Sequence, residues 1–412
     1  MIFHQGRYYR LQVKNESGEL LPASLLLKTI TDILNDPKPA EQPLLPGLLT
    51  SLPRREWFDL RNSLMALNPD NKSNLNQIES ALAVFAIDET LPAGEADFFG
   101  RVFCSDPGNR WYDKSLQFVL NYQGNVGINY EHSGVDGTTL GKLVGYLFDG
   151  MEPPDRTSLP EAAEETAEGT ENIVQEMSFS LDSSLEEAIR KADRLHQKMG
   201  QGLSFQTLAF TDFGKDTIKG MGVSPDSFIQ LGIQLAQHKA FQKVSTAYES
   251  VMTKQFRYGR TETMRPVTWE SLAFVTGPSS ETLKAASLKH VERINACKSG
   301  SGIDWHFFAL SKMYEQLHPD SPLPELFRSP EYKAVTRNTF STSTSNSHGM
   351  RFAGYGPSVG DGFAVRYLIF NDRLHFVLSS CQEYSDALLR YKDSLQQAYR
   401  EMAKLRCQAG SL

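Results

Sequence analysis

The sequence lacks several features that would assign a chain to a broad class of protein. Its four cysteines, Cys104, Cys297, Cys381 and Cys407, lie far apart, with no CxxC pair and no Cys/His cluster. Neither a disulfide framework nor a structural zinc site is therefore indicated. No apolar run approaches the ~18 residues that a membrane span requires. The formal net charge is −7 and no long basic run occurs, which argues against a nucleic-acid partner. We expect no bound metal and no transmembrane segment.

The length and composition indicate two domains. A chain of 412 residues with 40% hydrophobic content can bury two sizeable cores. Residues 152–176 contain eight acidic residues, three prolines and one arginine, a composition typical of an exposed linker. We therefore predict an N-terminal domain over residues 1–177, which includes this linker, and a C-terminal domain over residues 178–412.

Hydrophobic periodicity predicts the remaining elements. Residues 1–13 read as a strand-like segment with no signal character, and helices are expected over residues 24–34, 75–87 and 182–199. A loop is expected to begin at residue 96. The pattern favours a soluble intracellular protein without selecting among cytoplasm, mitochondrion and peroxisome.

The residues from Asn129 to Leu140 form the most informative segment. Alternating apolar residues on both sides of Gly124-Asn125 predict two strands joined by a tight turn, and the later apolar spacing predicts a helix. His132 then follows a strand end, with Asp136 near the helix start. An imidazole titrates near neutrality, so His132 is a candidate general base, with a hydrogen-bonded histidine in a turn as the alternative.

Polar segments of the second half form further candidate sites. Lys215 and Lys219 precede the helix start Ser224-Pro225-Asp226, an arrangement that suits a phosphate, although two lysines in a loop are also common surface residues. The cluster from Tyr248 to Arg265 suggests a small-molecule pocket. The serine and threonine residues from 341 to 345 are bracketed by apolar segments, which favours an ordered strand.

Taken together, these segments resemble the carnitine/choline acyltransferase family. The matching segments follow family order: residues 48–53, 109–114, 130–137, 214–230, 248–250, 259–263, 341–343 and 356–362. The resemblance implies an α/β fold of the two-domain, chloramphenicol-acetyltransferase type, with mixed sheets and an interdomain tunnel. It also implies acyl transfer between coenzyme A and the hydroxyl of carnitine, a reaction of fatty acid metabolism, with acyl-CoA as co-substrate and no permanently bound cofactor.

The resemblance assigns roles to individual residues of this chain. His132 would be the general base, Asp136 would support its loop, and Ser343 would donate to the oxyanion. Coenzyme A would contact Lys215, Lys219 and Asp226. The acceptor and acyl side would involve Tyr248, Ser250, Thr261, Ser341, Trp305 and Ala353.

Three departures from the family pattern leave alternatives open. Trp305 stands where carnitine enzymes have an arginine that balances the carnitine carboxylate, and the loss of such a partner typically costs ~3 kcal/mol. Choline or an uncharged alcohol therefore remains an alternative acceptor. Thr344 replaces the usual glutamine, so the oxyanion donor is Ser343 or, in a shifted register, Ser345. The small Ala353 favours a medium or longer acyl chain.

A fourth departure concerns length. Members of the family are longer, and we expect this chain to lack their N-terminal part. A noncatalytic acyl-CoA-binding remnant is therefore a further alternative to an active acyltransferase. Partners are expected to be small molecules, with the protein a monomer.

Overall fold

The computed structural model describes residues 1–37, 44–104, 107–150 and 173–405. The chain divides into two compact units, Met1–Gln201 and Gly202–Leu412. In the described ranges, no helix is both long enough and apolar enough to span a bilayer.

The described residues of the first unit form six strands and six α-helices. In chain order these are β1 Ile2–His4, β2 Arg7–Leu11, α1 Ala23–Asn35, α2 Arg54–Leu67, α3 Pro69–Ser80, β3 Val84–Asp88, α4 Glu95–Cys104, β4 Gln117–Asn121, β5 Val126–Asn129, α5 Gly137–Gly150, β6 Val174–Met177 and α6 Ser183–Gln201. Short 3-10 helices lie at Pro46–Ser51 and Pro107–Asn109.

The strands of the first unit form one mixed sheet in the order β5-β4-β3-β1-β2-β6. The strands β4, β3 and β1 are parallel neighbours, whereas the pairs β5/β4, β1/β2 and β2/β6 are antiparallel. The strand-like segment over residues 1–13 is thus a hairpin of β1 and β2. Gln5 and Gly6 both have positive φ, at 49° and 77°, which is the conformation of a tight hairpin turn.

In the second unit, the described range up to residue 405 contains six strands and eight α-helices. In chain order these are β7 Leu203–Phe210, α7 Lys215–Gly220, α8 Pro225–Phe241, β8 Ala247–Met252, β9 Thr261–Met264, α9 Trp269–Thr276, α10 Ser280–Lys298, α11 Asp304–Leu317, α12 Glu325–Arg328, α13 Pro330–Thr336, β10 Phe340–Thr344, β11 Phe363–Ile369, β12 Leu374–Cys381 and α14 Ser385–Met402.

The second sheet has the order β7-β12-β11-β10-β8-β9. From β7 the pairings are antiparallel, antiparallel, parallel, parallel and antiparallel, the same series that the first sheet shows from β6. Helix α8 is buried continuously from Ser227 to Gln237 and packs with α14 over apolar residues of the strands, including Phe340, Val365 and Phe376. The predicted α/β class with mixed sheets is confirmed.

The structure corrects three local predictions. The helix expected over residues 75–87 is the end of α3 followed by strand β3, because the apolar run 84–87 pairs with β1 and β4 and buries Val84, Ala86 and Ile87. The loop expected from residue 96 is helix α4. Most of the expected linker, residues 151–172, lies outside the described residues, but its last residues form β6, where Glu176 pairs with Tyr9.

The division between the units also differs from the expected position after residue 177. Helix α6 contributes Leu185, Ile189 and Ala192 to the core of the first unit. The first unit therefore extends to Gln201.

Candidate active site

His132 lies where the sequence predicted it, in the turn between β5 and α5. The strand end is fixed because the Asn129 amide donates to the carbonyls of Val102 and Phe103 at 3.2 and 3.3 Å. The turn is fixed because Glu131 accepts from the backbone N–H of Ser133 at 2.9 Å and from its hydroxyl at 2.5 Å. Rigid elements therefore hold both ends of the segment that carries the imidazole.

Asp136 lies close to His132. Its Oδ1 is 4.0 Å from His132 Nδ1, and the aspartate side chain is 12% exposed, whereas the histidine side chain is 60% exposed. This distance is too long for a hydrogen bond but allows the carboxylate to attract an imidazolium. The backbone carbonyl of Asp136 accepts from Thr139 and Leu140 and so begins α5. Asp136 thus lies at the junction between the His132 turn and α5, the position from which it would support the loop.

Five predicted site residues share one face of the second sheet. Residues in register on neighbouring strands point to the same side, and side chains alternate along each strand. Ser341 pairs with Tyr248, and Thr261 pairs with Met252, which has the same parity as Tyr248. The sheet therefore aligns Tyr248, Ser250, Thr261, Ser341 and Ser343, which lie far apart in sequence.

Tyr248 adjoins a charged group on this face. Burial raises the pKa of its phenol, and the nearby Arg265 guanidinium partly offsets that increase. Arg265 donates from Nε and Nη2 to Asp304 and from Nη1 to Asn338, the last at 2.7 Å. The guanidinium is thus occupied by protein partners.

Arg366 contacts both candidate oxyanion donors, and the sequence analysis did not identify it. It lies opposite Ser343 on β11, with Nη1 at 3.4 Å from Ser343 Oγ and Nη2 at 2.5 Å from Ser345 Oγ. Its side chain is buried although it carries a charge, which is costly without partners. A charged residue inside the apolar run 363–369 was the available signal. Ser343 is the penultimate residue of β10 and lies beside this charge, and Ser345 follows the end of the strand.

The two lysines lie on the short helix α7. Lys215 and Lys219 are four residues apart, so their side chains share one face of the helix. Gly214 fits before them because a Cβ there would lie 2.3 Å from the backbone nitrogen of Arg373. The Lys215 backbone N–H donates to the Phe370 carbonyl at 2.8 Å, which joins this helix to the end of β11.

Asp226 lies at the start of α8 on the opposite, helix-covered side of the sheet. It accepts from His290 Nε2 at 3.0 Å and from the Tyr367 hydroxyl at 2.7 Å. Burial opposes ionisation, but these hydrogen bonds outweigh it and lower the pKa of Asp226. Asp226, Glu249 and His290 place potential metal-ligand atoms within 4.8 Å of one another. Two hydrogen bonds already occupy both oxygens of Asp226.

Trp305 begins α11 and is half exposed. Its indole N–H donates to the Thr261 carbonyl at 2.8 Å, which fixes the ring beside the candidate acceptor strand β9. A cavity of about 380 Å³ adjoins it, with Thr263, Phe308, Phe327 and Tyr332 among its walls. Ala353 is half-buried in the segment between β10 and β11.

The candidates are thus divided between the units. His132 and Asp136 belong to the first unit, and the other predicted site residues belong to the second.

Comparison with known proteins adds a further observation: a family model described as choline/carnitine O-acyltransferase matches residues 1–397. The chain belongs to the choline/carnitine O-acyltransferase family.

Curated relatives within this family match most of the chain. Mitochondrial carnitine O-palmitoyltransferase 2 of Xenopus tropicalis is 31% identical over 397 residues, which cover 93% of this chain and 59% of the relative. Peroxisomal carnitine O-octanoyltransferase of Bos taurus is 31% identical over 405 residues, covering 93% and 64%. Carnitine O-acetyltransferase of Columba livia is 26% identical, covering 98% and 66%. The chain therefore spans about three fifths of the length of the palmitoyltransferase relatives.

Among solved structures, the wax ester synthase/diacylglycerol acyltransferase from Marinobacter aquaeolei VT8 has a TM-score of 0.40. It is 12% identical and covers 79% of each chain. A similarity at this level supports no conclusion about substrate.

Proposed function

We propose that this protein transfers an acyl group between coenzyme A and the hydroxyl of a small alcohol, either carnitine or a related compound. The observation that carries the proposal is the alignment of Tyr248, Ser250, Thr261, Ser341 and Ser343 on one sheet face, in a chain that belongs to this family. Hydroxyl groups on one face can bind an alcohol and donate to the oxygen of a reacting carbonyl.

The proposed reaction is a direct transfer with His132 as general base. The imidazole takes the proton of the alcohol, and the alcohol oxygen attacks the thioester carbonyl to form a tetrahedral intermediate. The C–S bond then breaks, the ester forms, and the thiolate takes the proton back from the imidazolium. One imidazole that acts first as base and then as acid fits this sequence. Asp136, 4.0 Å from Nδ1, stabilises the imidazolium.

Ser343 is proposed to donate to the oxyanion of the intermediate. Such donors contribute about 3 kcal/mol to transition-state stabilisation in related reactions. Arg366 adds positive charge beside Ser343 and Ser345, which favours a negatively charged oxygen at this position. The charge supports either serine as the donor.

Lys215 and Lys219 are proposed to bind phosphate groups of coenzyme A, because both ammonium groups project from the same face of α7. Asp226 is proposed to lie near the bound coenzyme A, while its hydrogen bonds to His290 and Tyr367 fix the start of α8. Tyr248, Ser250 and Thr261 would bind the acceptor, and Ala353 would leave space for a medium or longer acyl chain.

Trp305 supports a second candidate acceptor. Its ring adjoins a cavity with three further aromatic walls, and the Arg265 guanidinium in that cavity is paired with Asp304. A carboxylate of the acceptor would therefore have to compete with Asp304, whereas a cationic or uncharged alcohol would not. Choline or an uncharged alcohol is accordingly the alternative to carnitine.

The test is release of free thiol from acyl-CoA in the presence of carnitine, choline or an uncharged alcohol. Release that depends on carnitine supports the main proposal, and release with choline or the uncharged alcohol alone supports the second candidate. Acyl-CoA binding without release in any mixture would overturn both and indicate a noncatalytic binding protein. Several acyl lengths are compared in parallel, with longer chains expected to react faster than acetyl.

A further inference from the structure

A buried polar cluster lies beneath the second sheet, on the face opposite the aligned hydroxyl groups. Its members are Glu249 from β8, Tyr367 from β11, Asp226 from α8 and His290 from α10. Glu249 is 3% exposed, Tyr367 is fully buried, and His290 is 3% exposed. Buried ionisable groups cost free energy unless they are paired, so the protonation of this cluster has to be accounted for.

The phenol of Tyr367 connects the two carboxyl groups. Its oxygen lies 2.7 Å from Asp226 Oδ1 and 2.5 Å from Glu249 Oε1. The Gln230 amide donates to the same oxygen at 3.2 Å and to the Thr342 hydroxyl at 2.8 Å. The phenol thus makes three polar contacts, two of them with groups that only accept hydrogen bonds when ionised.

A count of protons excludes ionisation of both carboxyl groups. The phenol has one proton, so it can donate to Asp226 or to Glu249 but not to both. The remaining short contact requires that the carboxyl group donate to the phenol oxygen. One of the two acids must therefore be protonated.

The surroundings select Glu249 as the protonated acid. Asp226 already accepts from His290 at 3.0 Å, whereas Glu249 Oε2 is buried and has no hydrogen-bond partner among the described residues. The surroundings of Glu249 agree: burial and then the Asp226 carboxylate raise its pKa well above the usual value, and Tyr367, Gln230 and the charge of Arg366 do not offset that increase. An anion at Glu249 would have one oxygen with no donor in the part of the chain that the structure describes.

We propose that Glu249 is held as a neutral carboxylic acid and donates its proton to Tyr367, which in turn donates to Asp226. These hydrogen bonds connect α8 to β8. Helix α8 follows the two lysines, and on β8 Glu249 lies between Tyr248 and Ser250. Glu249 is thereby a positioning residue for both proposed substrate sites. This role rests on the proposed function, whereas the protonation state does not.

Infrared spectroscopy tests the protonation state without any measurement of activity. At pH 7 the difference spectrum of wild type minus Glu249→Gln is expected to contain the C=O stretch of a protonated acid. The matched control is Glu292→Gln, a substitution of an exposed glutamate that pairs with Lys289. The difference spectrum of wild type minus Glu292→Gln is expected to lack that band. Should Glu249→Gln not fold, wild type labelled with ¹³C-glutamate is used, and the band shifts to lower frequency. A spectrum with carboxylate bands alone at position 249 overturns the proposal.

The dependence of stability on pH gives a second test. Because the pKa of Glu249 is raised in the folded state, wild type loses stability as pH rises above the usual value of 4.5, whereas Glu249→Gln does not. The urea midpoint of Glu249→Gln relative to wild type therefore increases from pH 5 to pH 7. A decrease over that range would show that the anion stabilises the fold and would contradict the proposal.

Kinetics test the positioning role. Glu249→Gln keeps a neutral donor for Tyr367 and is expected to retain kcat/KM within about threefold, whereas Glu249→Ala raises KM for acyl-CoA and alcohol together by about tenfold or more. Equal losses in both variants, or a change in one KM alone, would contradict the role. If wild type shows no transferase activity, the proposed function fails, but the infrared band still decides the protonation state.

Discussion

The substitution Asp88→Asn is predicted to destabilise the first unit, and the size of the loss follows from the contacts of Asp88. Asp88 and Arg110 are both fully buried at the side chain, and Arg110 Nη2 lies 2.8 Å from Asp88 Oδ2. Arg110 Nη1 donates to Oδ1 at 2.9 Å, and the Asn109 amide donates to the same oxygen. This pair holds the segment 107–114 against the end of β3, before the strands that lead to His132.

The substitution removes the negative charge of Asp88 from two bonds to a fully buried guanidinium. Breaking one partner of a buried pair costs about 3–5 kcal/mol. A domain of this size shifts its Tm by about 2–4 °C per kcal/mol, so a decrease of about 6–20 °C is expected for the first unit. Total stabilities are about 5–15 kcal/mol, which makes this a large fraction.

The assay is urea and thermal unfolding followed by circular dichroism. The matched control is Glu79→Gln, which breaks the partly exposed pair between Arg61 and Glu79 and is expected to cost about 1 kcal/mol or less. If Asp88→Asn unfolds within about 1 kcal/mol of wild type, the pair does not have the role assigned to it.

The same pair predicts a dependence on pH. Burial raises the pKa of Asp88, but hydrogen bonds and charge from Arg110, with Asn109, outweigh it and lower the pKa below its usual value of 3.8. The stabilisation is therefore present above that value and is lost as pH falls through the lower folded pKa. The difference between wild type and Asp88→Asn should stay constant at neutral pH and decrease only in acid.

Three further predictions concern the proposed site. Lys215→Ala and Lys219→Ala should each weaken binding of coenzyme A by about fivefold or more, measured by calorimetry at low salt. Binding of acyl-pantetheine, which lacks the nucleotide phosphates, should stay unchanged. Equal losses of affinity for both ligands would contradict phosphate binding by the lysines. Trp305→Arg should lower KM for carnitine relative to choline by about tenfold in the thiol-release assay, and an unchanged ratio would show that position 305 does not contact the acceptor carboxylate. Ser343→Ala should lower kcat by about a hundredfold or more and Ser345→Ala by much less; the reverse order would assign the oxyanion to Ser345.

Local patterns predicted the elements around His132. Alternation over 117–121 and 126–129, a glycine turn and later helical spacing indicate strand, strand and helix, and the structure has β4, β5 and α5 there. The same logic failed at residues 84–87, where a short apolar run fits a buried strand as well as a helix end. Periodicity alone does not separate these two cases.

The buried cluster could not be predicted from the sequence. Tyr367 lies 141 residues from Asp226 and 118 from Glu249, and His290 lies 64 from Asp226. These residues meet only because β8, β10 and β11 are neighbours and two helices cover one face of the sheet. Resemblance to the family assigned roles to Tyr248, Ser341 and Ser343 on the face with the aligned hydroxyl groups, and to Asp226 within the cluster. It assigned no role to Arg366, and it gave none to Glu249, although Glu249 lies in the matching segment 248–250.

The central claim is that one imidazole moves the proton between the alcohol and the thiol. The test therefore compares thiol release from acyl-CoA by His132→Ala and by wild type, and calorimetry measures the coenzyme A affinity of both. The matched control is His318→Ala, which replaces an exposed histidine after α11. We expect His132→Ala to lose at least about a hundredfold in kcat, within the range for general-base catalysis, with coenzyme A affinity nearly unchanged and His318→Ala fully active. Turnover by His132→Ala at close to the wild-type rate would show that another group takes the proton.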